Sequence, residues 1–180
     1  NNCLVAGPSA IGAEMTNAED MRVTTWPDLS GRILDGKHVL PVRVYYEDTD
    51  FTGIVYHGAY VQFFERGRSD FLRLANIHHS ELKAGVDGAS LAFAVRKMNI
   101  EFFKPATIDD VLEVRTTLAE QKGARIALRQ EILREGILLV SADVLVAVIT
   151  EDGRPTRLPL PIAQRLAQLG SAAEISGDLA

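Results

Sequence analysis

The sequence predicts an α+β domain in which one long helix lies against an antiparallel sheet of about five strands. Three observations carry this. One strand-like segment precedes a single long apolar stripe at helical spacing. Four alternating segments follow it, separated by short turns. No strand–helix–strand repeat appears, which disfavours a doubly wound nucleotide-binding fold.

Residues 1–36 are rich in Gly, Asn, Ala, Ser and Asp without a stable period. They are expected to form a flexible N-terminal tail, with the domain over 37–170 and a C-terminal tail over 171–180. The first strand is expected at 38–47 (HVLPVRVYYE), where Val42, Val44 and Tyr46 alternate with Arg43, Tyr45 and Glu47. Pro41 puts its beginning at an edge or a bulge. Asp, Thr and Gly mark 48–58 as a loop. A helix is expected over 59–76, because Tyr60, Phe64, Gly67, Phe71 and Leu74 form one stripe. Val61, Phe63 and Leu72 widen that stripe, and Arg66, Arg68, Ser69, Asp70 and Arg73 fall off it.

Residues 90–103 alternate as Leu91, Phe93, Val95 and then Met98, Ile100, Phe102. The phase slips across Arg96 and Lys97, as a β-bulge produces. Leu112, Val114, Thr116 and Leu118 alternate cleanly, as do Ile126, Leu128, Gln130 and Ile132, and then Val140 to Val148. Lys122 with Gly123, and Glu135 with Gly136, read as hairpin turns. A short terminal helix is expected at 162–169.

The 180 residues are 47% apolar and 24% charged, enough for an ordinary globular core. The net charge of −5 argues against a nucleic-acid partner, so any anionic ligand must meet a local basic cluster. No apolar run approaches the ~18 residues of a membrane span. One cysteine, Cys3, forms no intramolecular disulfide, and the first residues lack the pattern of a secretory signal. The expected location is cytoplasmic, without membrane insertion.

The chemistry concentrates in 46–60, YEDTDFTGIVYHGAY. An EF-hand loop would be served by Asp48, Asp50, Thr52, Gly53 and Val55, but its twelfth position is Ala59, which removes the bidentate carboxylate. The string Asp48-Thr49-Asp50-Phe51-Thr52 matches a phosphatase-type D-x-D-x-T, but that chemistry needs a buried parallel strand before it. Thioester hydrolysis needs a carboxylate and donors for a developing oxyanion. Asp50 supplies the first. The N–H groups near His57, Gly58 and Ala59, at a helix start, supply the second. No G-x-S-x-G elbow offers a serine nucleophile.

These residues, VRVYYEDTDFTGIVYHGAYVQFFERGRSDFLR and AFAVRKMNIEFFKPATIDDVLEV, resemble the 4-hydroxybenzoyl-CoA thioesterase superfamily of hotdog proteins. They are most similar to its YbgC-like branch, the Tol–Pal-associated acyl-CoA thioesterases, over about residues 39–165. The resemblance implies a helix wrapped by a curved antiparallel sheet, and homodimers or homotetramers whose sheets join. It implies hydrolysis of short-chain or aromatic acyl-CoA without metal or cofactor. By position, Asp50 is the catalytic carboxylate, as nucleophile or general base, with the backbone N–H of His57 as oxyanion donor and Gly58 beside it. Tyr46, Tyr56 and Tyr60 are expected as pocket wall or core, and Val55 as a substrate contact. Arg96, Lys97, Lys122 and Arg125 are expected to meet CoA phosphates, with Lys104 nearby. Phe51, Phe63, Phe64, Phe93 and Met98 are candidate acyl contacts, and Asp48 is expected to brace the loop. Glu65 faces either solvent or a subunit interface, and His78 and His79 are expected in a polar loop. An acyl carrier protein is a further expected partner. A non-catalytic acyl-CoA or carrier-protein binding module on the same fold is the alternative, and a dehydratase lacks its pattern around His57.

Overall fold

A computed structural model describes residues 28–84 and 90–171. The expected N-terminal tail lies mostly outside the described residues, but its end does not behave as a tail. Arg32–Leu34 forms a strand, β1, paired antiparallel with β2 (Lys37–Arg43). Ordered sheet therefore starts earlier than Lys37. The segment is anchored from beneath. His38 is fully buried and donates from Nε2 to the Ser30 carbonyl at 2.7 Å. Gly31 lies so close to β2, at φ +72°, that a Cβ would stand 2.3 Å from the Val39 oxygen.

The other elements are α1 (His57–Leu74), α2 (His79–Ala84), β3 (Leu91–Phe102), β4 (Val111–Lys122), β5 (Arg125–Arg134), β6 (Ile137–Thr150) and α3 (Leu160–Ser171). All strands pair antiparallel in one six-stranded sheet, ordered β1-β2-β4-β5-β6-β3. The count exceeds the expected five by β1. Strand β2 stops at Arg43 rather than running to Glu47. The Asp48 carboxylate accepts the Tyr45 N–H at 2.8 Å and turns the chain into a 3-10 turn, Tyr46–Asp48. Tyr46, expected to point inward, is consequently 83% exposed. Pro41 lies beyond the last residue that β1 pairs, where β2 has no partner on that side among the described residues and no donor is missed.

The bulge in β3 falls between Val95 and Lys97 and leaves Arg96 opposite no residue of β6. Glu135 and Gly136 both take positive φ, giving the two-residue turn that matches strand twist between β5 and β6. In α1 the stripe buries Tyr60, Phe63, Phe64, Gly67 and Phe71, each large side chain contributing about 1.5–3 kcal/mol. Leu74 and Val61 are half exposed instead. Leu74 drifts because a seven-residue spacing precesses ~20° per heptad on an α-helix. Gly67 lets the helix approach the sheet, since a Cβ there would meet the Val114 side chain at 2.8 Å.

Arg68 is a second correction. It is buried, 7% exposed, and donates to the Gln130 side chain of β5 at 2.8 Å. Gln130 in turn donates to the Phe64 carbonyl at 3.0 Å and the Thr116 hydroxyl at 2.9 Å. Glu65 is the other partner of Arg68 and also accepts from Ser69. No helix among the described residues is long and apolar enough to cross a membrane.

Candidate active site

The loop between β2 and α1 is held on both sides. Thr49 bridges Val55, and the Asp50 N–H donates to the Ile54 carbonyl at 2.9 Å. Gly53 closes the turn by donating to the Asp50 carbonyl at 3.0 Å. On the far side Val55 donates to the Ala106 carbonyl at 2.9 Å and Ile54 bridges Thr107. The β3–β4 connector thus grips the loop. That connector is braced by Asp110, whose carboxylate accepts the Thr107 N–H at 2.8 Å and Arg134 at 2.6 Å. Asp48 is buried and braces the loop, as expected: its carbonyl accepts the Tyr56 N–H at 2.9 Å.

Asp50 stands in solvent on the tip of this loop, next to a fully exposed Phe51. One carboxylate oxygen, Oδ1, accepts the Thr52 hydroxyl at 2.5 Å and the Thr52 N–H at 2.8 Å. The Thr52 hydroxyl, and then the Thr52 N–H, hold the carboxyl below its usual pKa. Asp50 is therefore ionised at neutral pH, with Oδ2 uncommitted among the described residues. Asp50 itself is not in the wall of the neighbouring cleft.

Seven residues on, α1 begins without a side-chain cap and without an acidic residue in its first turn. The His57 and Gly58 N–H groups have no acceptor among the described residues, so the positive end of the helix is open to a ligand. Ala59 is different: its N–H donates to the Tyr56 carbonyl at 2.8 Å, which leaves two candidate donors where three were expected. The Tyr56 and His57 rings lie 4.3 Å apart. A Cβ at Gly58 would meet the Tyr56 ring at 2.7 Å, so glycine lets that ring lie against the helix start.

A cleft of about 290 Å³ opens beside His57. Ile54, Val55 and Tyr60 form one side, and Phe102, Phe103, Lys104 and Pro105 the other. Val55 and Tyr60 line this cleft, whereas Tyr46 and Tyr56 lie outside its wall. Phe102 and Phe103 went unrecognised as cleft walls. They close the end of β3 and reach the site only because the connector is drawn onto the loop. Of the expected acyl contacts, Phe63 and Phe64 are core, fully buried. Phe93 lines a separate apolar cavity of about 60 Å³ under α1 and α3, with Glu65 and Ser69 at its edge.

The expected phosphate-binding cations divide. Lys122 pairs with Arg125, Arg125 with Ala147, and Lys97 with Leu145, all on the sheet face opposite the buried side chains. At ~4.8 Å between strands and ~3.3 Å per residue, Lys97 lies roughly 12 Å from Arg125. The register thus gathers Lys97, Lys122 and Arg125 on one face, all exposed and without an ion-pair partner among the described residues. Arg96 sits in the bulge of β3, the edge strand of the described sheet. Side-chain detail at His79 is not described; its backbone belongs to α2 rather than to a loop. No three His, Cys, Asp or Glu side chains among the described residues converge as a metal site.

With this geometry in place, comparison with known proteins is specific. The model of the thioesterase superfamily matches residues 52–141. The chain is similar to the acyl-CoA thioester hydrolase YbgC of Escherichia coli O6:H1, 41% identical over 130 residues, covering 71% of this chain and 94% of that one. It is 42% identical over 117 residues to the acyl-CoA thioesterase YbgC of Haemophilus influenzae, covering 65% and 84%. Among solved structures, a probable thioesterase from Bartonella henselae is 47% identical with a TM-score of 0.67, covering 68% of this chain and 99% of that one. The six-stranded antiparallel sheet with its packed helix is the hotdog arrangement of these thioesterases.

Proposed function

The chain belongs to the thioesterase superfamily and is an acyl-CoA thioesterase of its YbgC-like branch, and on that premise we propose that Asp50 is its catalytic carboxylate. The observation that carries the proposal is the juxtaposition on one short, doubly gripped loop. An ionised carboxylate stands at its tip, and two N–H groups of a helix terminus, unpartnered among the described residues, stand at its end. The thioester carbonyl accepts from the His57 and Gly58 N–H groups. Asp50 then attacks the carbonyl carbon, or takes a proton from the water that does. The charge that builds on the carbonyl oxygen is stabilised by donors already in place.

The cleft of about 290 Å³ suits a short acyl chain, with a single aromatic ring second. Lys97, Lys122 and Arg125 are the candidate phosphate contacts for CoA. A carrier-protein thioester presents the same pantetheine arm and is a second candidate substrate. This reading assigns the enzyme to the cytoplasm.

The test is release of free thiol from a panel of acyl-CoAs and acyl carrier protein thioesters, with EDTA present. Release names the acyl class and its carrier. No release from any thioester would sink the proposal in favour of a binding module.

The Asp50 carboxyl has its pKa lowered on folding, so its charged form persists as pH falls and is lost only below the ordinary carboxylate range of ~3.9. The acid limb of kcat/KM is expected there. Thr52→Val removes the hydroxyl bond and is expected to move that limb to higher pH, while an unmoved limb would mean that another group sets it.

The assembly proposed is a homodimer or homotetramer through β3. Its twelve residues lie at the sheet edge with one side unpaired among the described residues, and Val95 and Phe102 are exposed along it. Sedimentation should give two or four times the 19.7 kDa chain mass, and a monomer at micromolar concentration would contradict it.

A further inference from the structure

Resting on the thioesterase reading above, we infer that the Tyr60 hydroxyl is a further catalytic group, the hydrogen-bond donor that meets the thioester sulfur as its bond to carbon breaks. Tyr60 lies three residues past His57 on α1 and lines the same cleft as the helix start. The residue is 3% exposed, with its ring edge-on to Phe63 and Phe102 at 6.1 and 5.8 Å. Its phenol oxygen accepts the Ala106 N–H at 2.9 Å. That bond uses a lone pair and leaves the hydroxyl's own hydrogen without an acceptor among the described residues. A buried donor left unused costs stability. The cleft in front of it is where an acceptor would sit.

The hydroxyl is also aimed. The Ala106 carbonyl accepts the Val55 N–H, so the residue whose N–H meets the phenol also grips the loop carrying Asp50. In the tetrahedral intermediate the carbonyl oxygen already has two N–H donors. When the intermediate collapses, the C–S electron pair moves onto sulfur, and the thiolate accepts the Tyr60 O–H until solvent protonates it. Burial pushes the phenol's pKa up, so it remains a donor through neutral pH and gives a hydrogen bond rather than its proton. Besides His57, Lys104 is a further side-chain donor in the cleft, exposed and held by no side-chain partner among the described residues.

Tyr60→Phe keeps the ring contacts and removes the hydroxyl, but it also strands the Ala106 N–H. A fall in kcat alone would not separate donation from positioning. The measurement is therefore kcat for one acyl group on two leaving thiols, the alkyl thiol of CoA and an aryl thiol that departs as a stabilised anion. Tyr60→Phe is expected to slow the CoA thioester about 10²-fold and to leave the aryl thioester near the wild-type rate. Equal losses on both would overturn the inference and leave Tyr60 a positioning residue. Leaving-group dependence in Lys104→Met instead of Tyr60→Phe would move the role to Lys104 and equally overturn it. Wild type that hydrolyses neither thioester would remove the thioesterase reading itself, a failure distinct from the other two.

Discussion

Asp50→Asn is expected to lower kcat by about 10³-fold while leaving the affinity for a thioether analogue of a short acyl-CoA unchanged. The substitution is mild structurally. Asparagine keeps Oδ1, so it still accepts the Thr52 N–H and hydroxyl that shape the turn, and the backbone bonds to Ile54 and Gly53 do not involve the side chain. What disappears is the negative charge and with it both possible roles, nucleophile and base. The side chain is exposed, so its removal leaves no cavity and Tm should not move. Retained turnover would mean that the carboxylate is elsewhere. A parallel loss of affinity would mean that position 50 shapes the binding loop instead of the chemistry.

The largest effect on stability is expected from Gln130→Leu, about 3 kcal/mol or roughly 10 °C in Tm. Gln130 has no exposed surface, and it satisfies three groups at once: the Arg68 guanidinium, the Phe64 carbonyl and the Thr116 hydroxyl. Leucine has a similar volume but leaves all three short of a partner inside the core, with Arg68 still charged. Glu65 continues to pair with Arg68, which limits the loss. Adding Arg68→Met to Gln130→Leu should recover part of it, because the stranded charge goes too. Thermal unfolding of the two single variants and the double gives the coupling. A loss under about 1 kcal/mol for Gln130→Leu would show that water or side-chain movement satisfies the network.

The same network marks a limit of what the sequence discloses. Gln130 was legible as an inward position, because it continues the alternation of Ile126, Leu128 and Ile132. Its partner 62 residues away was not, since Arg68 is an arginine followed by Ser69 and Asp70 and reads as solvent-facing. The slip in β3 was legible from side-chain phase alone, since one extra residue shifts every later side chain to the other face. Strand β1 was not. Three residues between glycines and aspartates carry no period, and they are held by pairing to β2 and by the contact from His38 to Ser30.

The loop carrying Asp50 and the helix start was legible because both lie in one continuous segment. The cleft wall was not, because Phe102 and Phe103 arrive from a strand at the far edge of the sheet. Nor was the convergence of Lys97 with Lys122 and Arg125, which depends on β5, β6 and β3 lying side by side.

The central claim is that the thioester carbonyl rests between Asp50 and the start of α1. The most direct measurement is a crystal structure of Asp50→Asn with a short acyl-CoA bound. The account predicts the carbonyl oxygen at roughly 2.7–3.1 Å from the His57 or Gly58 nitrogen, with the substituted amide side chain beside the carbonyl carbon. A carbonyl lodged instead in the apolar cavity beside Glu65, with the helix start facing water, would contradict it.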